Sequence, residues 1–158
     1  MIPDSIRDPG NLGTLLRTAD AAGVQAILLP PETTDAFAPK VVRAGMGAHF
    51  RLPIHSMSWD EIRQYVTSPK SATDLGEAGG GGLQVFLGDM DGQSCWETDF
   101  KSPLALIVGG EAEGASEQAR KLANTLVKIP MAGKTESLNA AVAGSVLMLE
   151  VMRQREHK

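Results

Sequence analysis

Apolar positions along this chain fall into short continuous runs separated by stretches of helical period, and that alternation predicts its elements. Leu12, Leu15, Leu16, Ala19 and Ala22 recur three and four residues apart, which predicts a helix from Leu12 with Asn11 at its N-cap and Ala22-Gly23 as its stop. Asp8-Pro9-Gly10 bends the chain before it. At about 100° per residue, Arg17 lies roughly 160° from the centre of the apolar stripe and faces outward. The run Val24 to Leu29 reads as a buried strand closed by Pro30-Pro31. A short helix is predicted over Pro39 to Ala44, broken by Gly45-Met46-Gly47, followed by a strand over Phe50 to Ile54. Trp59 to Val66 then forms a helix, with Ser58 and Glu61 at the capping-box positions.

The stretch Ser68 to Gly82, with proline, serine and four consecutive glycines, cannot bury a core and reads as a flexible excursion without an assigned function. Beyond it, strands are predicted at Leu83 to Gly88, Leu104 to Val108 and Leu126 to Ile129, with a helix over Ser116 to Ala123. The last helix, Ala140 to Arg153, carries Ala141, Val142, Ser145, Val146, Leu149 and Met152 on one face, in line with Leu138 just before it. Leu147, Met148 and Val151 lie elsewhere around it. A helix apolar on several sides must be covered on several sides, by its own fold, by a second chain, or by both. Continuous apolar runs separated by helices predict an α/β fold, a mostly parallel sheet covered on both faces.

Composition narrows this reading. With 158 residues and 42% hydrophobic content, the chain can bury one core, and a single domain over 1–158 is expected. A net charge of -4 argues against a protein that grips nucleic acid by charge alone. It leaves room for an enzyme that touches few phosphates. The single cysteine, Cys95, rules out an internal disulfide framework, fits a reducing compartment and reads as a small core residue. His49, His55 and His157 lack metal-site spacing, and no metal is expected. No apolar run approaches the ~20 residues of a membrane span, so a soluble protein is expected.

Two stretches carry candidate chemistry. Gly109-Gly110-Glu111-Ala112-Glu113-Gly114 follows the most apolar strand, where open α/β sheets bind ligands, but it matches neither the dinucleotide fingerprint nor a P-loop. Ile129-Pro130-Met131-Ala132-Gly133-Lys134-Thr135-Glu136-Ser137-Leu138-Asn139 places a glycine, a serine and an asparagine at the mouth of the last helix. Singly, each polar residue has a plain structural reading: Asn11, Ser137 and Asn139 as caps, Glu111 as a solvated turn residue, Arg17 as a solvated arginine.

Together the segments resemble something more specific. Asn11-Leu12-Gly13-Thr14-Leu15-Leu16-Arg17-Thr18-Ala19, Ile107 to Gly114, and Ile129 to Asn139 with the following helix are similar, in that order, to the three motifs of the SpoU-type (TrmH-like) RNA 2′-O-ribose methyltransferases of the SPOUT superfamily. The stretch Pro39 to Arg51 is also similar to members that modify large-subunit ribosomal RNA, mitochondrial ones included. The resemblance implies an α/β fold with a C-terminal trefoil knot, a homodimer with the site at the subunit interface, and methyl transfer from S-adenosyl-L-methionine to a ribose 2′-hydroxyl of RNA. Ribosomal RNA stands ahead of transfer RNA as substrate. By the same resemblance Gly109, Gly110, Ile129, Met131 and Leu138 hold the cofactor, and Asn11, Glu111, Ser137 and Asn139 shape the site around the ribose or its phosphate. Arg17 matches the arginine associated with the hydroxyl.

Only Met1 to Arg7 precede the Asp-Pro-Gly-Asn turn, so the family's first strand is expected to be shortened or lost and its N-terminal substrate-binding domain absent. The compartment implied is the cytoplasm in a prokaryote, or the mitochondrion or plastid in a eukaryote. A catalytically silent RNA-associated dimerisation module stays open as an alternative. A small-molecule nucleotide-binding domain is disfavoured by the missing phosphate-loop glycines.

Overall fold

In the computed structural model, which describes residues 1–69, 82–111 and 114–156, every strand pairing is parallel. Strands β1 (Ile2–Asp4), β4 (Gln84–Ser94), β5 (Leu104–Gly109) and β6 (Thr125–Lys128) form one sheet in the order β1-β5-β4-β6. Strands β2 (Ile27–Leu29) and β3 (Ile54–Ser56) form a second, and the Leu28 amide donates to the Met1 carbonyl at 3.0 Å, which brings β2 alongside the β1 end of the larger sheet. The chain therefore builds outward from β1 in one direction, then crosses to its other side. Such a switch point is where open α/β sheets leave a crevice.

Strand side chains alternate between faces, and so divide the core in two. Phe86, Leu106 and Val108 face α1 (Pro9–Ala21), α2 (Pro39–Gly45) and α5 (Ala140–Glu156). Val85, Leu87, Ala105 and Ile107 face α3 (Trp59–Thr67) and α4 (Glu117–Leu122). Both faces are covered, as the apolar runs predict.

Several boundaries differ from the sequence expectation. The first strand is present rather than lost, as three residues: Ile2 to Asp4 are buried and pair with Ile107 to Gly109. Helix α1 starts earlier than expected, because Asp8 is its cap and accepts the Asn11 amide at 2.8 Å, with Pro9 in the first turn where no donor is needed. Asn11 is therefore inside the helix. Strand β2 begins at Ile27 because the Val24 amide is still bonded to Ala19 of α1, and Gly23 sits at φ +70°. Ala48–Phe50 form a 3-10 turn and the Arg51 and Leu52 amides return to Ala48, so the expected strand from Phe50 starts only at Ile54, as β3. Strand β4 runs on past Gly88 to Ser94 through a register shift against β6. The predicted capping box is present at α3, Ser58 and Glu61 bonding reciprocally. The glycine-rich stretch at 68–82 lies almost wholly outside the described residues, as do Ala112 and Glu113.

In α5 the buried side is Ala140, Ala141, Gly144, Leu147 and Met148. Val142 and Leu149, counted on the main apolar face, are instead 49% and 43% exposed. Small residues decide which side goes in. A Cβ at Gly144 would stand 2.5 Å from Leu15 Cδ2 and 3.0 Å from a Val108 methyl, so the helix backbone lies directly on α1 and β5. Thr18 and Ser145 hydroxyls meet across that contact at 2.9 Å.

Candidate active site

A cleft of about 500 Å³ opens at the carboxyl ends of β5 and β6, beside the middle of β4 where its register shifts, against the first turns of α5. Its walls come from three separated segments: Gly88 to Met90, Val108 to Glu111 with Gly114 and Ala115, and the loop from Val127 through Asn139. Ala143, Gly144 and Leu147 form its helical side.

The corner after β5 is held from beneath. Asp4 is completely buried, and its Oδ2 accepts the Ser116 amide at 2.6 Å, fixing the cap of α4 to the end of β1. Gly110 lies against Ser5 so closely that a Cβ there would collide with the Ser5 carbonyl oxygen. A Cβ on Gly109 would stand 2.8 Å from the Ala115 amide nitrogen. Backbone at this corner is thus bare of side chains because the packing behind it leaves no room for them.

The mouth of α5 is organised by Asn139. Its Oδ1 accepts the amides of Ala141 at 2.9 Å and Val142 at 3.2 Å, as a helix cap does. That fixes the orientation of the amide, so Nδ2 donates to Asn11 Oδ1 at 3.2 Å. Asn11 then has its own NH₂ left over, with no partner among the described residues. One pair of amides ties the first turn of α1 to the first turn of α5 beside the cleft.

Of the residues singled out from the sequence, Gly109, Gly110, Glu111, Ile129, Met131, Ser137, Leu138 and Asn139 all line this cleft. Asn11 stands at its edge through Asn139. Arg17 does not reach it; the side chain is exposed on α1, without an ion-pair partner among the described residues. Sequence reasoning missed Asp89, Arg120 and Lys128. Asp89 is nearly buried and pairs with Arg120 at 2.7 Å, fastening β4 to α4 just past Gly88, where the register against β6 shifts. The available signal was Gly88-Asp89 at the carboxyl end of a predicted strand, the position at which such sheets place ligands.

Apolar walls from Ile129, Leu138 and Leu147, bare backbone at Gly109 and Gly110, and a few convergent polar groups describe a site for a mixed apolar and polar small molecule. Among the described residues no cluster of His, Cys, Asp and Glu could hold a metal ion, and no helix is long and apolar enough to cross a membrane.

Comparison with known proteins agrees on one family. The SpoU rRNA Methylase family profile matches residues 1–149. The chain is 34% identical over 203 residues to rRNA methyltransferase 3, mitochondrial, of Xenopus tropicalis, covering 99% of this chain and 49% of that protein. It is 37% identical over 156 residues to the 23S rRNA (guanosine-2'-O-)-methyltransferase RlmB of Ralstonia nicotianae, covering 98% of this chain and 58% of that one. Among solved structures, the SpoU methyltransferase AviRb from Streptomyces viridochromogenes in complex with AdoMet superposes with a TM-score of 0.83 at 32% identity, over 99% of this chain and 60% of AviRb. The AdoMet-bound rRNA methyltransferase from Sinorhizobium meliloti gives 0.82 at 36%, over 96% and 54%. The chain spans about half the length of the curated relatives it matches.

Proposed function

The chain belongs to the SpoU rRNA methylase family, and from that premise we propose that it transfers a methyl group from S-adenosyl-L-methionine to a ribose 2′-hydroxyl of RNA, ribosomal RNA ahead of transfer RNA. The observation that carries this reading is the convergence of the Gly109 corner, the 129–139 loop and the Asn11–Asn139 pair on one cleft. A volume of about 500 Å³ lies within the range of small-molecule sites, about 300–1,000 Å³. The AviRb and S. meliloti relatives carry AdoMet.

The cofactor supplies a methyl group already activated by its sulfonium, so the protein's task is alignment and charge. Backbone groups of Gly109, Gly110, Ile129, Met131 and Leu138 hold the donor, with the apolar side chains of the last three bordering adenine. Asn11 offers its free NH₂ to a ribose or phosphate oxygen, while Glu111, Ser137 and Asn139 shape the approach. Arg17 comes from a second subunit of a homodimer, binds the phosphate next to the target ribose and stabilises the negative charge that grows on the 2′-oxygen as its proton passes to solvent. A guanidinium holds its proton far above neutral pH, so a donor role suits it better than that of a base. Arg17's exposure and its distance from the cleft of its own chain support a contribution in trans, and the exposed Val142 and Leu149 of α5 support a second copy lying there. The reading includes the family's C-terminal knot, supported by the return of α5 from β6 to lie on α1 and β5. Residues 1–158 act as a catalytic domain.

Methyl transfer to ribosomal RNA, with ribose-specific mapping of the product, tests the reaction. Calorimetry with S-adenosyl-L-methionine tests the pocket separately. Cofactor binding without methylated ribose would leave the silent dimerisation module; no cofactor binding would overturn both.

A further inference from the structure

Four of the nine large apolar side chains exposed among the described residues lie between Phe37 and Phe50: Phe37 just before α2, Val42 on it, and Met46 and Phe50 after it. Helix α2 buries Val41 and Gly45 against α1, which turns Lys40, Val42, Arg43 and Met46 outward. Phe50 follows with 89% of its surface exposed, and Met46 with 65%. Burying neither ring nor thioether, the fold gains nothing from them.

This surface adjoins Arg17. On α1 Gly13 is pressed against Ala44 of α2, and Asp20 holds Arg51 in a bidentate ion pair, Nε and Nη2 both donating, at 2.6 Å for the closest contact. Arg17 is one turn from Gly13 and one from Asp20, on the same flank of α1. Arg17, Lys40 and Arg43 are exposed and have no ion-pair partner among the described residues. The carboxylates nearby are engaged, Asp20 by Arg51 and Asp35 by the Phe37 amide. In a chain of net charge -4, three unpaired cations beside an exposed ring are a local exception.

We propose that the outer face of α2 and the following turn, Lys40, Arg43 and Phe50 with Arg17 beside them, is a binding surface for single-stranded RNA flanking the methylated nucleotide. The cations neutralise successive phosphates and Phe50 stacks on an unpaired base. Unstacked single strands are what an aromatic ring with neighbouring guanidinium and ammonium groups recognises. A purely apolar partner would leave Lys40 and Arg43 desolvated and unpaired. The inference rests on the proposed RNA substrate.

Fluorescence anisotropy with a short labelled oligouridylate, alone and annealed to its complement, tests it. Phe50→Ala should weaken single-strand binding about tenfold, with little change for the duplex and none in S-adenosyl-L-methionine binding by calorimetry. Phe50→Trp should retain the affinity. Phe50→Leu should lose it, since leucine preserves apolar contact but has no aromatic face. Arg43→Glu should flatten the salt dependence. Unchanged affinity in Phe50→Ala overturns the surface alone; wild-type protein that binds the cofactor but no RNA overturns the substrate as well. Sedimentation that shows Phe50→Ala dissociating subunits, with Phe50→Leu normal in both association and RNA binding, assigns the face to a second copy and also overturns the proposal.

Discussion

Gly144 shows how much a missing side chain can decide. With Leu15 and Val108 standing where its Cβ would be, Gly144→Ala forces α5 off α1 and β5. Overpacking of this kind costs about 1–3 kcal/mol, readable as a lower urea midpoint at unchanged slope. Asn139 couples structure to site in a single amide. Asn139→Ala removes a cap worth ~1 kcal/mol and also releases Asn11, so cofactor or RNA binding should fall by more than the stability loss explains. Arg17 makes the opposite case, since the described structure gives it no partner to lose. Arg17→Lys should leave the melting temperature unchanged and lower the methyl-transfer rate about 10- to 100-fold, because a point charge cannot reproduce a bidentate fork. Full activity with normal RNA binding would remove that role.

At the scale of elements, the C-terminal half of α5 is secured by a buried acid. Glu150, only 5% exposed, accepts from Arg153 Nε and Nη2 at 2.8 Å each and from Gln154 Nε2 at 2.7 Å. Gln154 in turn bridges the Thr98 carbonyl and the Phe100 amide, and Arg155 donates to the Phe100 and Ser102 carbonyls. Hydrogen bonds from Arg153 hold the Glu150 carboxyl below the usual glutamate range, outweighing its burial. A folded-state value below the unfolded one means stability that is fully present above the unfolded value, about pH 4.3, and is lost as pH falls through the lower folded value. Asp20, Glu61 and Glu117 shift the same way on the surface. Glu150→Gln should therefore cost stability at neutral pH and flatten its acid loss, which urea titrations across that window would detect. Burial, and after it the charge of the same acid, push the Cys95 thiol up, in keeping with a core residue.

Element types were legible from period and run length, while several element ends were set by short-range backbone bonds that no side-chain period announces. The Val24 amide belongs to α1 only because Ala19 is there to accept it. Phe50 to Ile54 read as a strand, yet Gly47 at φ +87° lets the chain coil back on Ala48, and the strand starts only at Ile54. Local bonding of this sort overrides propensity. Where side chains of recognisable type make the bond, as in the Ser58–Glu61 box, the sequence predicted it directly. Ser58→Ala should accordingly cost α3 about 1 kcal/mol, measured by chemical denaturation.

For the whole molecule, the two-faced core follows from strand alternation, and the cleft from the rule that ligands meet strands at their carboxyl ends. The loop residues Ile129 to Asn139 and the corner at Gly109 were visible because glycine and polar residues interrupt apolar runs. Asp89 was not, because its importance lies in an ion pair with Arg120, thirty-one positions later, which no period reveals. Nor did the pattern distinguish which side of α5 goes in. That choice depends on Gly144 finding Leu15, a contact between distant parts of the chain.

The amide pair joining Asn11 to Asn139 separates its partners by 128 positions. Contacts so far apart slow folding, because a long loop must close before they reward it. During synthesis the first turn of α1 emerges long before the segment that completes it, so a nascent chain stays ligand-blind until Asn139 and α5 have followed. Refolded protein should accordingly regain helical circular dichroism before it regains cofactor affinity, with competence arriving as the concluding event of assembly.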